Sequence, residues 1–263
     1  MSTNKIEQLF QKKDKNILSI YFTAGFPKLN DTNEILAALQ TNGADLIEIG
    51  MPYSDPLADG PVIQKSGMTA IENGMTIRTL FDQLHQYQNS ERRNDSVPLV
   101  LMGYLNPVLQ FGFEKFCEEA RKAGISGIIL PDLPIREFEN EYKSIIEKNG
   151  LSFIFLITPE TSEERIRKID ELTTGFIYAV SSSSITGSDT NMNAQESYFH
   201  RIQNLNLKNK VIIGFGIRDH ATFSLACKYA AGAIIGTAYI NQLEKESDIN
   251  KTTEEFLNSI LQA

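Results

Sequence analysis

Cysteine is scarce in this chain. Only Cys117 and Cys227 occur, each inside a stretch with helical pattern, so neither a disulfide framework nor a thiolate metal site is expected and both read as core thiols. Histidine is almost as sparse: His85, His200 and His220 are scattered over helix-like or loop segments without metal-ligand spacing. That leaves metal-assisted chemistry unsupported and reads the three as surface residues. Tryptophan is absent, which for so rare a residue decides nothing. No apolar run approaches the length of a membrane span, and the opening residues MSTNKIEQLFQKKDKN lack the apolar stretch of a secretory signal, so a cytoplasmic protein is the expectation. Positive charge is in deficit, with 25 Lys and Arg against 33 Asp and Glu for a net charge of -8. This argues against a nucleic-acid partner, and a small anionic ligand would need a local site.

What is present is an ordinary balance for a globular core, 41% hydrophobic and 22% charged residues over 263 positions. Eight short apolar runs recur, at 19–25, 45–50, 98–104, 127–132, 152–158, 175–180, 210–216 and 232–238. They are rich in Ile, Val and Phe and often followed by Gly, Pro or Ser, as buried parallel strands are. Between them lie helical patterns such as NDTNEILAALQTNG and EKFCEEARKAG, several closing on glycine. Strand and helix alternate without a linker, which predicts one α/β domain over 1–263, and eight repeats favour a closed (β/α)8 TIM barrel. A doubly wound sheet is the alternative, but no glycine-rich dinucleotide fingerprint supports it. Residues 3–13 read as an extra N-terminal helix and TTEEFLNSILQ as a C-terminal one. Three connections are long, 51–60, 104–112 and 181–193. Those after the second and sixth strands stand out as barrel-mouth loops, where chemistry is to be sought.

Glu48 is the sharpest anomaly, a carboxylate between Ile47 and Ile49 in a strand that should be buried on both faces. Alternation puts Leu46, Glu48 and Gly50 on one face; if that face is the barrel interior, burial raises the proton affinity of Glu48 and suits it to proton exchange near neutral pH. The other reading pairs it with a Lys or Arg in an interior network. Asp59 lies in a loop dense with Pro and Asp that also holds Asp55; it reads as a second carboxylate over the mouth or as a turn residue satisfying backbone N–H groups. Tyr178 shares a face with Phe176 and Val180, either a core tyrosine or a substrate contact. Gly216 and Gly236 with Thr237 follow the last two strands, where barrels hold phosphate on glycine backbone and the N–H groups of a following helix; each glycine alone would be a turn residue. No strand interior or C-terminal end carries a Lys, since Lys210 starts its strand, so a Schiff-base mechanism lacks its nucleophile.

The stretch LIEIGMPYSDPLADGPVIQ (46–64) resembles the tryptophan synthase alpha chain family. The likeness continues through FTAGFP (22–27), Tyr104 with Asn106, LPDLP (130–134), SITG (184–187) and GFGI (214–217), in order along essentially the whole chain. The resemblance implies a lyase of tryptophan biosynthesis that splits indole-3-glycerol phosphate by retro-aldol cleavage into indole and glyceraldehyde 3-phosphate. It makes Glu48 and Asp59 the catalytic carboxylates and Tyr178 the active-site tyrosine. Tyr21, Met102 and Ile129 then wall the indole pocket, and Gly187, Gly216, Gly236 and Thr237 hold phosphate. It also implies a lid formed by the loops of Asp55 and Thr186, coupled to a beta subunit in an alpha2beta2 tetramer. Pyridoxal phosphate is then expected only in that partner, with no cofactor or metal in this chain, and Pro52, Asp55, Asn106 and Pro107 are docking candidates. Ser184 stands where the family commonly has Gly, and Ser restricts positive φ in the lid. A stand-alone indole-3-glycerol phosphate lyase would share these residues. A phosphosugar isomerase or prenyl-transferring barrel would share only the phosphate cradle, and a mainly regulatory chain would keep the partner surface without turnover.

Overall fold

The computed structural model describes residues 4–180, 189–214 and 216–262, with backbone alone for 189–195. Its strands are β1 (Ile17–Thr23), β2 (Leu46–Gly50), β3 (Leu99–Met102), β4 (Gly127–Ile129), β5 (Ser152–Phe153), β6 (Leu156–Ile157), β7 (Phe176–Val180), β8 (Lys210–Gly214) and β9 (Gly232–Ile235). All pair in parallel, in the order β5-β4-β3-β2-β1-β9-β8-β7-β6. The two ends of that order are halves of one run. Only Ile154 and Phe155 separate β5 from β6; Ile154 N–H donates to Ile128 O at 3.0 Å, and Phe155 O accepts from Tyr178 N–H at 2.9 Å. The ring is therefore closed through a broken fifth stave, and the fold is a (β/α)8 barrel.

Every residue of β1, ILSIYFT, is buried, although the run does not alternate apolar and polar. A barrel strand has side chains in the interior on one face and under the helices on the other, so both faces demand burial. The register Ser19↔Leu46, Tyr21↔Glu48, Glu48↔Val100 and Gly50↔Met102 carries one face around the ring. Tyr178↔Ile212 and Gly214↔Ile234 continue it, which sets Ser19, Tyr21, Glu48, Gly50, Tyr178 and Gly214 on the interior face.

The N-terminal helix, Lys5–Lys12, is capped by the Asn4 side chain, which accepts from Ile6 N–H. Asn4 Nδ2 also donates to Ser126 O and Gly150 O, just before β4 and β5. Fully buried Ile6 lies against Gly127 and Gly175, and Phe10 packs on Phe176. This helix thus covers the N-terminal end of the barrel and leaves the opposite end for chemistry. Ser162, Asp219 and Asp248 likewise cap the helices Glu163–Leu172, His220–Tyr229 and Ile249–Leu261.

Two local expectations change. The stretch after β3 is not an open loop: Tyr104 is the N-cap of a short helix, Leu105–Phe111, and Pro107 falls in the first turn, where its missing N–H costs nothing. Asp132 supplies the cap from outside, accepting from Leu105 N–H with both oxygens. Nor are all the histidines surface residues. His85 is half-buried beside Phe81 and Glu119, and His220 Nδ1 lies 2.8 Å from Ile260 O. Cys117 and Cys227 are buried free thiols, as their helical context predicts.

Candidate active site

Glu48 enters the barrel because β2 alternates, and it ends up 0% exposed. Ser19 Oγ, from the neighbouring strand, donates to Glu48 Oε1 at 2.9 Å, and Oε2 has no hydrogen-bond partner among the described residues. Among the described residues no ion pair involves Glu48, so an interior Lys or Arg network is not what holds it. Burial pushes its proton affinity up, with a pKa of about 8, against a smaller opposing pull from the Ser19 hydroxyl. At neutral pH this carboxyl is protonated.

Asp59 sits at the end of the loop that follows β2, half-buried. Its backbone N–H closes a turn onto Pro56 O, and its Oδ2 accepts from the Tyr104 hydroxyl at 2.9 Å. The same hydroxyl accepts from Ala58 N–H at 3.0 Å, so Tyr104 ties the loop to the top of β3. The side chain of Asp59 is thus not spent on backbone donors. Burial raises its proton affinity and the Tyr104 hydrogen bond lowers it.

Tyr21 and Tyr178, both buried, are near enough to the two carboxylates to sense their charge. Both phenols are held neutral mainly by burial, and Asp59, with Glu48 once it ionises, adds to the effect in each. Two glycines make room for them: a Cβ on Gly50 would collide with the Tyr21 hydroxyl, and one on Gly214 with that of Tyr178.

Above these groups a cleft opens at the C-terminal end of the barrel. Tyr21, Asp59, Met102, Tyr178, Gly216, Gly236 and Thr237, all expected in the site, line it together with Ile63, Ile217 and Ile234. Glu48 lies beneath, in register with Tyr21. Ile129 is also beneath the wall, fully buried and in register with Met102. One side of the cleft is apolar, built from Ile63, Met102 and Ile234. Gly216, Gly236 and Thr237 bring backbone into the rest of the lining. Gly216 has φ 76, a left-handed conformation that glycine adopts freely. Gly236 is the N-cap of the helix Thr237–Lys245 and supplies no side-chain cap, so among the described residues no side chain satisfies the first-turn N–H groups at the positive end of the helix dipole.

Asp55 is exposed and accepts from the Ser54 hydroxyl. Asn106 is exposed as well and reaches the Tyr53 hydroxyl at 3.4 Å, while Pro52 and Pro107 are half-buried nearby in sequence. Beside them Leu57 is 94% exposed at the rim of a second depression shared with Tyr53 and Tyr104. Ser184, Thr186 and Gly187 lie outside the described residues. Among the described residues no group of three or more His, Cys, Asp or Glu could hold a metal ion, and no helix is long and apolar enough to cross a membrane.

Sequence reasoning missed Ser19, Gly50, Gly214 and the tether role of Tyr104. The signal for Ser19 was present, a small polar residue on the Tyr21 face in the middle of an otherwise apolar strand.

A family model described as tryptophan synthase alpha chain matches residues 7–262. The tryptophan synthase alpha chain of Flavobacterium johnsoniae is 55% identical over 258 residues, covering 98% of this chain and 99% of that one. Among solved structures, the tryptophan synthase alpha subunit of Legionella pneumophila superposes with a TM-score of 0.88 at 31% identity, covering 98% and 97% of the two chains. A chain of the tryptophan synthase complex of Pyrococcus furiosus does so at 0.84 and 32%, covering 95% and 100%.

Proposed function

The chain belongs to the tryptophan synthase alpha chain family and is a carbon–carbon lyase of tryptophan biosynthesis; from that premise we propose that Glu48 and Asp59 carry its cleavage of indole-3-glycerol phosphate to indole and glyceraldehyde 3-phosphate. The observation that carries the assignment is the buried carboxyl of Glu48, without an ion pair among the described residues, under a cleft lined by apolar side chains and by the backbone of Gly216 and Gly236.

The geometry suits the substrate part by part. The indole ring lies against Tyr21 and Met102, and the phosphate takes the backbone donors at Gly216, Gly236 and Thr237, with Gly187 as the remaining phosphate position. Protonated Glu48 delivers its proton to indole C3, which breaks the aromaticity of the pyrrole ring and makes it an electron sink. The resulting carboxylate takes the proton of the adjacent glycerol hydroxyl as that oxygen becomes a carbonyl. The carbon–carbon bond breaks in that same step, its electron pair returning to the ring. Asp59, anionic at the mouth, stabilises positive charge that builds toward the indole N–H. Loss of such an interaction typically costs ~10^2 to 10^3 in rate. Tyr178, a neutral phenol, packs against the reacting face.

No cofactor is needed for these steps in this chain, and pyridoxal phosphate belongs to the beta subunit. The alpha chain family implies that partner, and an alpha2beta2 assembly in the cytoplasm is the form we propose. Exposed Leu57 beside Asp55, with Asn106, Pro52 and Pro107, forms the docking face, and the loops of Asp55 and Thr186 act as the coupled lid.

The test is glyceraldehyde 3-phosphate release from indole-3-glycerol phosphate by the purified chain, with and without a tryptophan synthase beta subunit. Weak release that the partner raises supports the reading. Strong release indifferent to any beta subunit would favour a stand-alone lyase, and no release in either condition would refute it.

A further inference from the structure

On the interior face of β1 the reaction as described leaves the Ser19 hydroxyl unused. Ser19 is 0% exposed and stands on the strand beside Glu48, with its hydroxyl 2.9 Å from Oε1. Among the described residues no Lys or Arg reaches the carboxyl, and none hydrogen-bonds Oε2. A hydroxyl that donates to one oxygen of a carboxyl keeps that oxygen an acceptor in both charge states. The other oxygen is then the one that gains and loses the proton.

We infer that Ser19 is a positioning residue for the lyase reaction: by anchoring Oε1 it makes Oε2 the proton-carrying oxygen of Glu48 and holds it in one orientation. This rests on the reading of Glu48 as the proton-transferring group. The chemistry favours a fixed oxygen, because Glu48 must deliver a proton to carbon and then take one from oxygen within a single turnover. A carboxyl free to rotate about its terminal torsion would spread the proton over two atoms and several orientations. The hydroxyl also has an electrostatic role. A hydrogen bond to a charged acceptor is stronger than one to a neutral acceptor, so Ser19 favours the carboxylate and eases proton release from a site whose burial resists it. No substrate contact is required of Ser19, which lies below the cleft with Glu48.

The experiment compares Ser19→Ala and Ser19→Thr with the wild-type chain, in complex with a beta subunit, and uses Glu48→Gln as the reference. Steady-state kinetics give kcat and KM. Infrared titration of the ligand-free chain follows the carboxylic-acid carbonyl band that disappears in Glu48→Gln. In Ser19→Ala the band's midpoint should rise by about one pH unit and kcat should fall roughly tenfold, with KM unchanged. Ser19→Thr, which keeps the hydroxyl, should restore both.

Wild-type kcat in Ser19→Ala would overturn the inference, whether or not the midpoint moves. A fall in kcat with an unmoved midpoint and no rescue by Thr would overturn it too, marking a packing defect. Both results leave Glu48 as the proton carrier, provided Glu48→Gln is inactive. Cleavage surviving in Glu48→Gln would instead remove the premise and the inference together.

Discussion

Replacing Glu48 by Gln should stabilise the chain progressively as pH rises while stopping turnover. In the folded protein burial sets the Glu48 pKa at about 8, against an ordinary 4.5. A carboxyl whose folded pKa is raised contributes its stability below the unfolded value and loses it as pH climbs toward the folded one, because the unfolded chain ionises first. Between those values each pH unit removes ~1.4 kcal/mol. The onset near 4.5 is gradual, so from pH 5 to pH 7 the wild type loses ~2.5 kcal/mol relative to a variant that cannot ionise. Gln keeps the oxygen that accepts from Ser19 and buries an amide with no acceptor, at a fixed cost of ~1–3 kcal/mol that does not vary with pH. Urea unfolding of both proteins at pH 5, 6 and 7 isolates the group, since every other titration is common to the pair. The difference should shift steadily in favour of Gln. A gap constant within ~0.5 kcal/mol, the usual scatter of such differences, would refute the burial argument.

The same pKa predicts that kcat/KM falls about tenfold per unit above pH ~8 as free Glu48 loses its proton, and a flat profile to pH 10 would contradict the acid role. Gly50→Ala places a methyl against the Tyr21 hydroxyl. It should cost ~1–3 kcal/mol in chemical unfolding and cut kcat/KM, whereas full activity would mean that Tyr21 need not occupy that position. Gly216→Ala forces a Cβ into a left-handed conformation, so ~1–2 kcal/mol of stability and a raised KM are expected, with kcat less affected.

Much of this was readable before any coordinates. The apolar runs located the staves because a barrel strand is buried on both faces, and Glu48 stood out because nothing in such a strand justifies a charge. The bounds blurred where two structures share one composition: LNPVLQF is as apolar as a strand end, yet becomes a helix because Asp132 caps it. The break between β5 and β6 left no trace, since Ile154 and Phe155 are as buried and apolar as their neighbours. Pairwise facts were out of reach. That Ser19 meets Glu48, or that Gly50 and Gly214 admit two tyrosine rings, depends on register between strands far apart in the chain. The tether from Tyr104 to Asp59 likewise depends on how a loop folds back over the barrel.

The most direct test of the central assignment is indole formation from indole-3-glycerol phosphate by Glu48→Gln in complex with a beta subunit, with unfolding measured on the same sample. A folded variant slowed by ~10^2 to 10^4, the range of a lost general acid, is the expected result. Near-wild-type cleavage by a folded Glu48→Gln would contradict it and send the search for the proton carrier to Asp59 and Tyr178.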